Sequence, residues 1–564
     1  MEGKSRKTVA EILVKHLENT GVDIAFGVSG AYISPVWKAL TESSINTIHC
    51  RHETGATFCA SEYSLYHHKP AAVFTTAGPG ITNALTAART AKLDGAKVIF
   101  IAPITTAKSN GLWGLQQTTV EDVLALQGEG ISGYFDRVVC IDEKAKLSEA
   151  IDAINHFNVS QGHVLGIFIL PNIQKSEIAE EEYNETPSSL SSPIVCEDKG
   201  ALDAHQQEIA EVLAAGDAII WNGFGCLDAS DVLTRLAIET QTAVMSTPRG
   251  KGVFPENHPL YIGSTGLGCD EPALLSAIDK LSLKTMVILG TRLGESSAHY
   301  LQNKIKGVKV YYVSLEKADI KNNLPPKTEM IHAELTAFLQ GVYEKIKTLP
   351  LAHRSTALPQ LKASRCEVAV KNNDGVVNPV DVMAAIQKVA IDEHDCLVAS
   401  DAGNSHVWAN RFLQFQKPNR YRVNSAMGTM GHYACGIVGL AMSGKVTVGI
   451  IGDGSMLMNN EISTAVHHRV PAIWVVLNDG GYNMCRQGLN SVGYPALDCA
   501  IPMVDFAMFA HALGANGVCV TSRAELESSL RTAVNQALPT VIDVRIDRDV
   551  LPPVLGRQNA VKSL

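Results

Sequence analysis

Ile451-Gly452-Asp453-Gly454-Ser455-Met456-Leu457-Met458-Asn459-Asn460-Glu461, with Val476-Leu477-Asn478-Asp479-Gly480-Gly481-Tyr482-Asn483-Met484 downstream, is the stretch from which the fold can be read. Residues 446–451 are a β-branched apolar run that stops at Gly452, which predicts a buried strand opening into a tight turn that carries Asp453. Residues 472–477 predict a second buried strand, ending in Asn478-Asp479-Gly480-Gly481. Oxygen-rich turns at the carboxyl ends of neighbouring parallel strands are where open α/β sheets bind ligands. Hard oxygen donors spaced by glycines suit Mg²⁺ or Ca²⁺, and Mg²⁺ is usually shared between carboxylates and a phosphate. A diphosphate is therefore the expected ligand.

Composition sets the bounds around that stretch. At 564 residues the chain is too long for one core, and about three or four domains are expected. An apolar fraction of 46% with alternating strand and helix signals suits an α/β protein. With a net charge of −9 and no basic patch, nucleic acid is not an expected partner. The basic start, residues 1–7, leads into an amphipathic helix, and no apolar run approaches the ~20 residues of a membrane span, so no membrane partner and a cytoplasmic location are expected. Twelve cysteines without a C-x-x-C pair read as reduced thiols, and the final Lys562-Ser563-Leu564 has the wrong order for a peroxisomal signal.

In chain order, residues 8–19 show helical spacing and residues 22–28 a strand ending at Ser29-Gly30-Ala31. A strand at 47–50 runs into Arg51-His52-Glu53-Thr54-Gly55-Ala56 and a long helix of small residues. The strand at 71–76 closes on Ala77-Gly78-Pro79-Gly80-Ile81-Thr82-Asn83, whose glycines admit a sharp turn, and a fourth strand follows at 97–102. Residues 176–199, rich in Glu, Ser and Pro, predict a linker; strands near 218–221, 243–246, 285–289 and 308–313 predict a second α/β unit. A polar connection at 349–373 precedes a third unit. There Asn378-Pro379 opens a helix, and a strand at 397–400 ends in Asp401-Ala402-Gly403-Asn404-Ser405-His406-Val407-Trp408. Taken singly, Glu53 reads as a solvated or capping glutamate, Gln116 and Gln117 as surface residues, Met430 as core and His432 as a satisfied structural histidine.

Together these segments resemble the thiamine-diphosphate (ThDP) enzymes, above all the acetolactate synthase and pyruvate decarboxylase group. Gly452-Asp453-Gly454 with Leu477-Asn478-Asp479 is similar to the metal-diphosphate signature of that family, and Arg51-His52-Glu53 followed by Gly78-Pro79-Gly80-x-Thr82-Asn83 to its pyrimidine-binding domain. Residues 247–260 resemble its central domain; Asp401 to Trp408 and Gly428-Thr429-Met430-Gly431 resemble its diphosphate-binding domain. The resemblance runs from Val9 to about Pro553. It implies an α/β fold of three doubly wound parallel-sheet domains: pyrimidine-binding (1–180), central Rossmann-like (195–348) and diphosphate-binding (370–552).

The resemblance also implies a cofactor site. Glu53, with Pro79 and Asn83, faces the aminopyrimidine ring, where its carboxyl shares a proton with N1′ so that the cofactor acts as its own base. Gly403, Asn404, Ser405 and His406 hold diphosphate oxygens. Gly428 offers its carbonyl to the pyrimidine amino group and Met430 props the bent cofactor. Gly452, Gly454, Ser455, Tyr482, Asn483 and Met484 line the same pocket. Asp453 ligates the metal, Asp479 is the second ligand unless a one-residue register shift puts Asn478 there, and Gly481 adds its backbone oxygen. Gln116 lies near the reacting carbon. Some family members hold FAD against the central domain; here Gly223-Phe224-Gly225-Cys226-Leu227-Asp228 lacks the third glycine of a dinucleotide fingerprint and reads as a structural turn, so FAD is left open.

Departures from the family bear on the reaction. Pyruvate decarboxylases use an Asp, two His and a Glu as proton donors where this chain has Ala31, Gln116, Gln117 and Cys485. Without them the acyl unit is left for a carbonyl acceptor, which favours carboligation over aldehyde release. Gly488 stands where acetolactate synthases carry a pocket-shaping Trp and Tyr32 where they carry a small residue, so a different acceptor pocket is expected, with Leu115, Leu457, Met458 and Met484 as its apolar lining. His432 is a further candidate to face substrate. The expected activity is ThDP- and Mg²⁺-dependent decarboxylation of a small 2-oxo acid with acyl transfer to a carbonyl acceptor; the alternative is simple decarboxylation to an aldehyde. Family members build each site between subunits, with Glu53 of one chain facing Asp453 of another, so a homodimer or homotetramer is expected.

Overall fold

The computed structural model describes residues 6–105, 114–158, 162–179, 199–281, 283–298, 301–305, 307–315, 324–325, 327–352 and 375–552. Within them lie three six-stranded sheets, each parallel throughout. Strands such as Val98–Pro103 and Ala472–Asn478 are buried along their whole length, as they must be when helices cover both faces of a parallel sheet.

The first sheet contains, in chain order, Ile24–Gly27, Asn46–His49, Ala71–Phe74, Val98–Pro103, Arg137–Ile141 and Val164–Ile169; in space these run 2-1-3-4-6-5. The third sheet has the same order, from Leu397–Ser400, Tyr421–Val423, Thr447–Gly452, Ala472–Asn478, Asn516–Val520 and Thr540–Arg545. The central sheet, Ala218–Asn222, Ala243–Ser246, Tyr261–Ser264, Thr285–Leu289, Lys309–Ser314 and Glu329–His332, runs 3-2-1-4-5-6. All three orders reverse direction beside the first strand, and such a reversal opens a crevice at the strand carboxyl ends. In the central unit that crevice is a cavity of about 440 Å³ between Phe224, Gly225, Gly290–Leu293 and Arg249.

The linker reading at 176–199 needs correction at its start. Glu177–Ala179 is a short strand that pairs antiparallel with Arg6–Thr8, because the extended chain there completes a two-stranded ribbon instead of leaving the domain. The rest of that segment lies outside the described residues, as does most of the connection at 349–373. Thr8 caps the helix Val9–Asn19 with a Thr8/Glu11 capping box. Among the described residues no helix is long and apolar enough to cross a membrane.

The N- and C-terminal units meet through two helices. Glu53–His67 is buried on nearly every side and all ten residues of His432–Ala441 are buried, so each helix packs all round. Glycine sets their separation. A Cβ on Gly439 would lie 2.1 Å from the Cys59 carbonyl oxygen, and one on Gly436 would lie 3.0 Å from Glu62 Cγ. Gly439→Ala should therefore force the helices apart and cost about 1–3 kcal/mol, seen as a lower thermal midpoint by differential scanning fluorimetry; an unchanged midpoint would show that the contact is not a constraint.

Candidate active site

Two groups of sequence-predicted residues are each brought together. In the N-terminal unit Glu53 opens its helix, is buried, and accepts a hydrogen bond from Asn83 Nδ2 at 3.1 Å. Asn83 lies on Pro79–Asp94, whose N-cap Gly78 has φ 60°, ψ −111°, a backbone shape open to glycine. Gln116, itself at φ 55°, packs on that turn: a Cβ on Gly78 would lie 2.9 Å from Gln116 Cα. Thr76 Oγ1 donates to Gln116 Oε1 at 3.3 Å, and Gly78 N–H donates to Thr118 Oγ1 at 2.8 Å. Gly80 stands between Glu53 and Thr76, where a Cβ would come within 3.5 Å of the Glu53 carboxylate. Pro79, Asn83, Gln116 and Glu53 thus share one turn. Gln117 instead accepts from Gly114 N–H, and Leu115 is exposed within the single chain.

In the C-terminal unit Asp453 begins the helix Asp453–Met458 and is buried. Its Oδ2 accepts from the backbone N–H of Gly480 (2.8 Å) and Gly481 (3.1 Å), and its Oδ1 from Gly454 N–H (2.7 Å). This follows from register: Gly452 is paired with Leu477, so the turns after the two strands lie side by side. Burial raises the Asp453 carboxyl above its ordinary range. Burial, and next the charge of Asp453, push Asp479 up to about 6. Asn478 points elsewhere, its Nδ2 donating to Asp543 Oδ1 and the Val504 carbonyl, both at 2.9 Å. Of the two alternatives left open by the sequence, Asp479 is the one set beside Asp453.

The remaining predicted residues gather around the same crevice. A Cβ on Gly454 would lie 2.6 Å from the Tyr482 ring and 3.3 Å from Met430 Cε; one on Gly452 would lie 3.7 Å from Ser405 Oγ, and one on Gly403 4.0 Å from Met484 Sδ. Gly403, at φ 92°, begins the helix Asn404–Phe412. Asn404 Oδ1 and His406 Nδ1 are buried without a partner, and burial, with help from the Lys251 charge, lowers His406 to about 4, so its ring is neutral. Gly428 (φ 64°) would have open space around a Cβ. Asn483 donates to Asp479 at 2.8 Å, Ser455 is buried beside Asp453, and among the described residues the Gly481 carbonyl accepts from Asn483 N–H alone (2.9 Å), which leaves a lone pair for a ligand.

These residues fit a diphosphate-bearing cofactor. The helices Asn404–Phe412 and Asp453–Met458 begin at the crevice, and the orphaned Asn404 Oδ1 and His406 Nδ1 lie at the start of the first, as expected where a polar ligand completes the site. Leu457 and Met458 are exposed in the single chain.

Sequence reasoning missed several supporting groups. Asp401 is fully buried and accepts from Tyr433 N–H (3.0 Å) and Ala434 N–H (3.1 Å), capping the helix His432–Ala441. Glu461 accepts from the backbone N–H of Arg51 (3.0 Å) and His52 (3.1 Å), fixing the approach to Glu53. His432 corrects one expectation: it is fully buried and its nitrogens face Glu62 and Asn424, so it does not face substrate. The partners of these groups lie far off in the chain, and only the periodicity around them was readable.

Asp401 yields a test. Burial outweighs its hydrogen bonds and raises its carboxyl from 3.8 to about 6. A raised carboxyl favours the folded state below the unfolded value and loses that contribution as pH rises through about 6. The stability of Asp401→Asn relative to wild type should therefore improve by up to ~3 kcal/mol between pH 4 and pH 7, measured by denaturant melts; a pH-independent difference would refute the assignment.

Comparison with known proteins agrees with this geometry. Models of the thiamine pyrophosphate enzymes match the chain in order: the N-terminal TPP binding domain at residues 7–126, the central domain at 207–342 and the C-terminal TPP binding domain at 401–544. The acetolactate synthase large subunit of Parasynechococcus marenigrum is 27% identical over 98% of this chain and 90% of its own length. The acetolactate synthase of Mycobacterium bovis is 26% identical (97% and 90%), and the isozyme 1 large subunit of Escherichia coli 24% (97% and 95%). With all three domain models in sequence and relatives matched from end to end, the chain belongs to the thiamine pyrophosphate enzymes and is an acetolactate synthase-like member of that family.

Proposed function

We propose that this enzyme, with ThDP and Mg²⁺, decarboxylates a small pyruvate-like 2-oxo acid and transfers the acyl unit to a carbonyl acceptor. The observation that carries this reading is the composition of the turn around Glu53. A buried carboxylate oriented by Asn83 sits there beside Gln116, an amide that has no acidic proton to release. Acceptor attack is then favoured over protonation to a free aldehyde. The names of the acetolactate synthase relatives support the same choice.

When bound, ThDP supplies the electron sink that permits loss of CO₂ from a 2-oxo acid. The chain's own residues bind and orient. Glu53 holds a proton at the pyrimidine ring, and Asn83 fixes the carboxylate that does so. Asn404, Ser405 and His406, at a helix start, receive the diphosphate, while Gly428 and Met430 shape the pocket for the pyrimidine. Asp453, Asp479 and the Gly481 carbonyl would hold Mg²⁺, because two buried carboxylates raised by burial call for a cation.

The working unit is a homo-oligomer with sites between chains. Glu53 and Asp453 each find their hydrogen-bond partners within their own unit, Asn83 for the first and Gly454, Gly480 and Gly481 for the second. Leu115, near the first, and Met427, Leu457 and Met458, near the second, are exposed in the single chain, and a second copy would cover them.

Incubation with ThDP, Mg²⁺ and ¹³C-pyruvate plus a panel of carbonyl acceptors, read by NMR, should yield an acyloin or 2-hydroxy-2-acyl acid. Glu53→Gln should lower that rate by at least ~100-fold. Acetaldehyde as the only product would replace carboligation with simple decarboxylation. Asp453→Asn and Asp479→Asn should each raise the Mg²⁺ concentration needed for half-maximal activity, and active protein that runs as a monomer in light scattering would contradict the shared site.

A further inference from the structure

Asn424 determines the protonation of His432. Its Oδ1 accepts from the backbone N–H of Met427 (3.2 Å) and Gly428 (3.3 Å), which orients the amide so that Nδ2 donates to His432 Nδ1 at 3.0 Å. Nδ1 is therefore an acceptor. On the opposite edge Nε2 lies 2.9 Å from Glu62 Oε1, a carboxylate that also receives Arg422 Nε (2.9 Å) and the Tyr433 hydroxyl (3.2 Å). Nε2 accordingly carries the hydrogen. The ring is neutral, has both nitrogens engaged, and stacks on Phe58 with centroids 4.5 Å apart.

The contacts form a continuous path from Glu62 in the N-terminal unit through His432 and Asn424 to the amides of the turn that presents Gly428. The next residue, Thr429, is tied separately, its Oγ1 lying 3.2 Å from Thr90 Oγ1, so the two bonds to Asn424 are what hold the Met427–Gly428 end of the turn. We propose that His432 is a positioning residue that sets the Met427–Gly428 turn for ThDP, acting through Asn424 and anchored by Glu62. The proposal rests on the reading that the Gly428 carbonyl receives the pyrimidine amino group. An imidazolium at this place would turn an N–H toward the Asn424 amide and release the turn.

The test separates the two nitrogens. His432→Asn puts a carbonyl near the Nδ1 position and keeps the Asn424 contact; His432→Gln reaches the Nε2 position and keeps only Glu62; His432→Phe keeps only the stack. Protein stripped of cofactor would be titrated with ThDP and Mg²⁺ by calorimetry, with thermal midpoints measured alongside. His432→Asn should stay within about threefold of wild-type affinity, while His432→Gln and His432→Phe should lose about tenfold or more. Equal affinity in all three variants, or loss in His432→Asn with retention in His432→Gln, overturns the relay. Should the variants fail to fold, ¹⁵N-histidine NMR of the wild type decides: a neutral Nε2–H ring at pH 7 is expected, and an imidazolium or an Nδ1–H tautomer overturns the proposal. Wild-type protein that takes up no ThDP would instead sink the functional reading beneath it.

Discussion

Glu62 is a carboxylate buried where two domains meet, and its pairing governs how the rest of the molecule is arranged. Burial alone would raise it, but the Arg422 guanidinium, together with the hydrogen bonds from His432 and Arg422, outweighs burial and holds it well below the usual carboxylate range. Removing its Arg422 partner would strand an ionised group in the interior, at a cost of about 3–5 kcal/mol for a broken buried pair. Glycines 436 and 439 set how close the helices Glu53–His67 and His432–Ala441 come, and Glu62 sets where along their length they lock. Because Glu53 opens the same helix, its place relative to the C-terminal unit follows. Glu461, capping Arg51 and His52, does at the helix start what Glu62 does at its centre.

The same buried charges extend into the central domain. Arg422 and Arg249 both lie over the Phe224 ring, at 4.8 and 4.3 Å, and Arg249 pairs with Asp94 at 3.4 Å. Asp94 ends the helix Pro79–Asp94, whose first turn carries Asn83 beside Glu53. The central cavity is bordered by Asp94, Phe224 and Arg249, and also by Ser425 and Ala426, the residues between Asn424 and the Gly428 turn. Cavity and cofactor crevice are therefore built on shared rigid elements: a change of shape at one presses on the helix and the loop that form the other.

What the sequence revealed follows from the range of the forces involved. The run 472–477 and its oxygen-rich turn were legible because strand burial and glycine turns are local properties, and the turn lies where the register of Gly452 with Leu477 puts it. The helix opened by Asn378-Pro379 was legible for the same reason: the cap is written in two adjacent residues. Strands such as Tyr421–Val423, three residues long, and Asn516–Val520, with one buried residue, carry too weak a pattern to stand out. Glu62 looked like one more polar residue in a helix. Its partners lie 360 and 370 residues away, and no local pattern announces them. Choosing Asp479 over Asn478 likewise required knowing that Asp543 waits on the next strand to take the Asn478 amide.

That choice has an electrostatic consequence. Asp453 uses one oxygen to gather the amides of Gly480 and Gly481, so the carboxylate proposed as a metal ligand also folds the turn carrying its neighbour. The turn is preformed, and with it a second carboxylate is brought into a buried place. Burial first, and then the like charge of Asp453, push Asp479 up to about 6, while Asn483 Nδ2 donates to it. A divalent cation between them would reverse the balance: it would favour both charged forms, and its binding near pH 6 would displace a proton from Asp479. An asparagine at that position would bind metal without this linkage. In the proposed site the aspartate would therefore couple metal occupancy to pH.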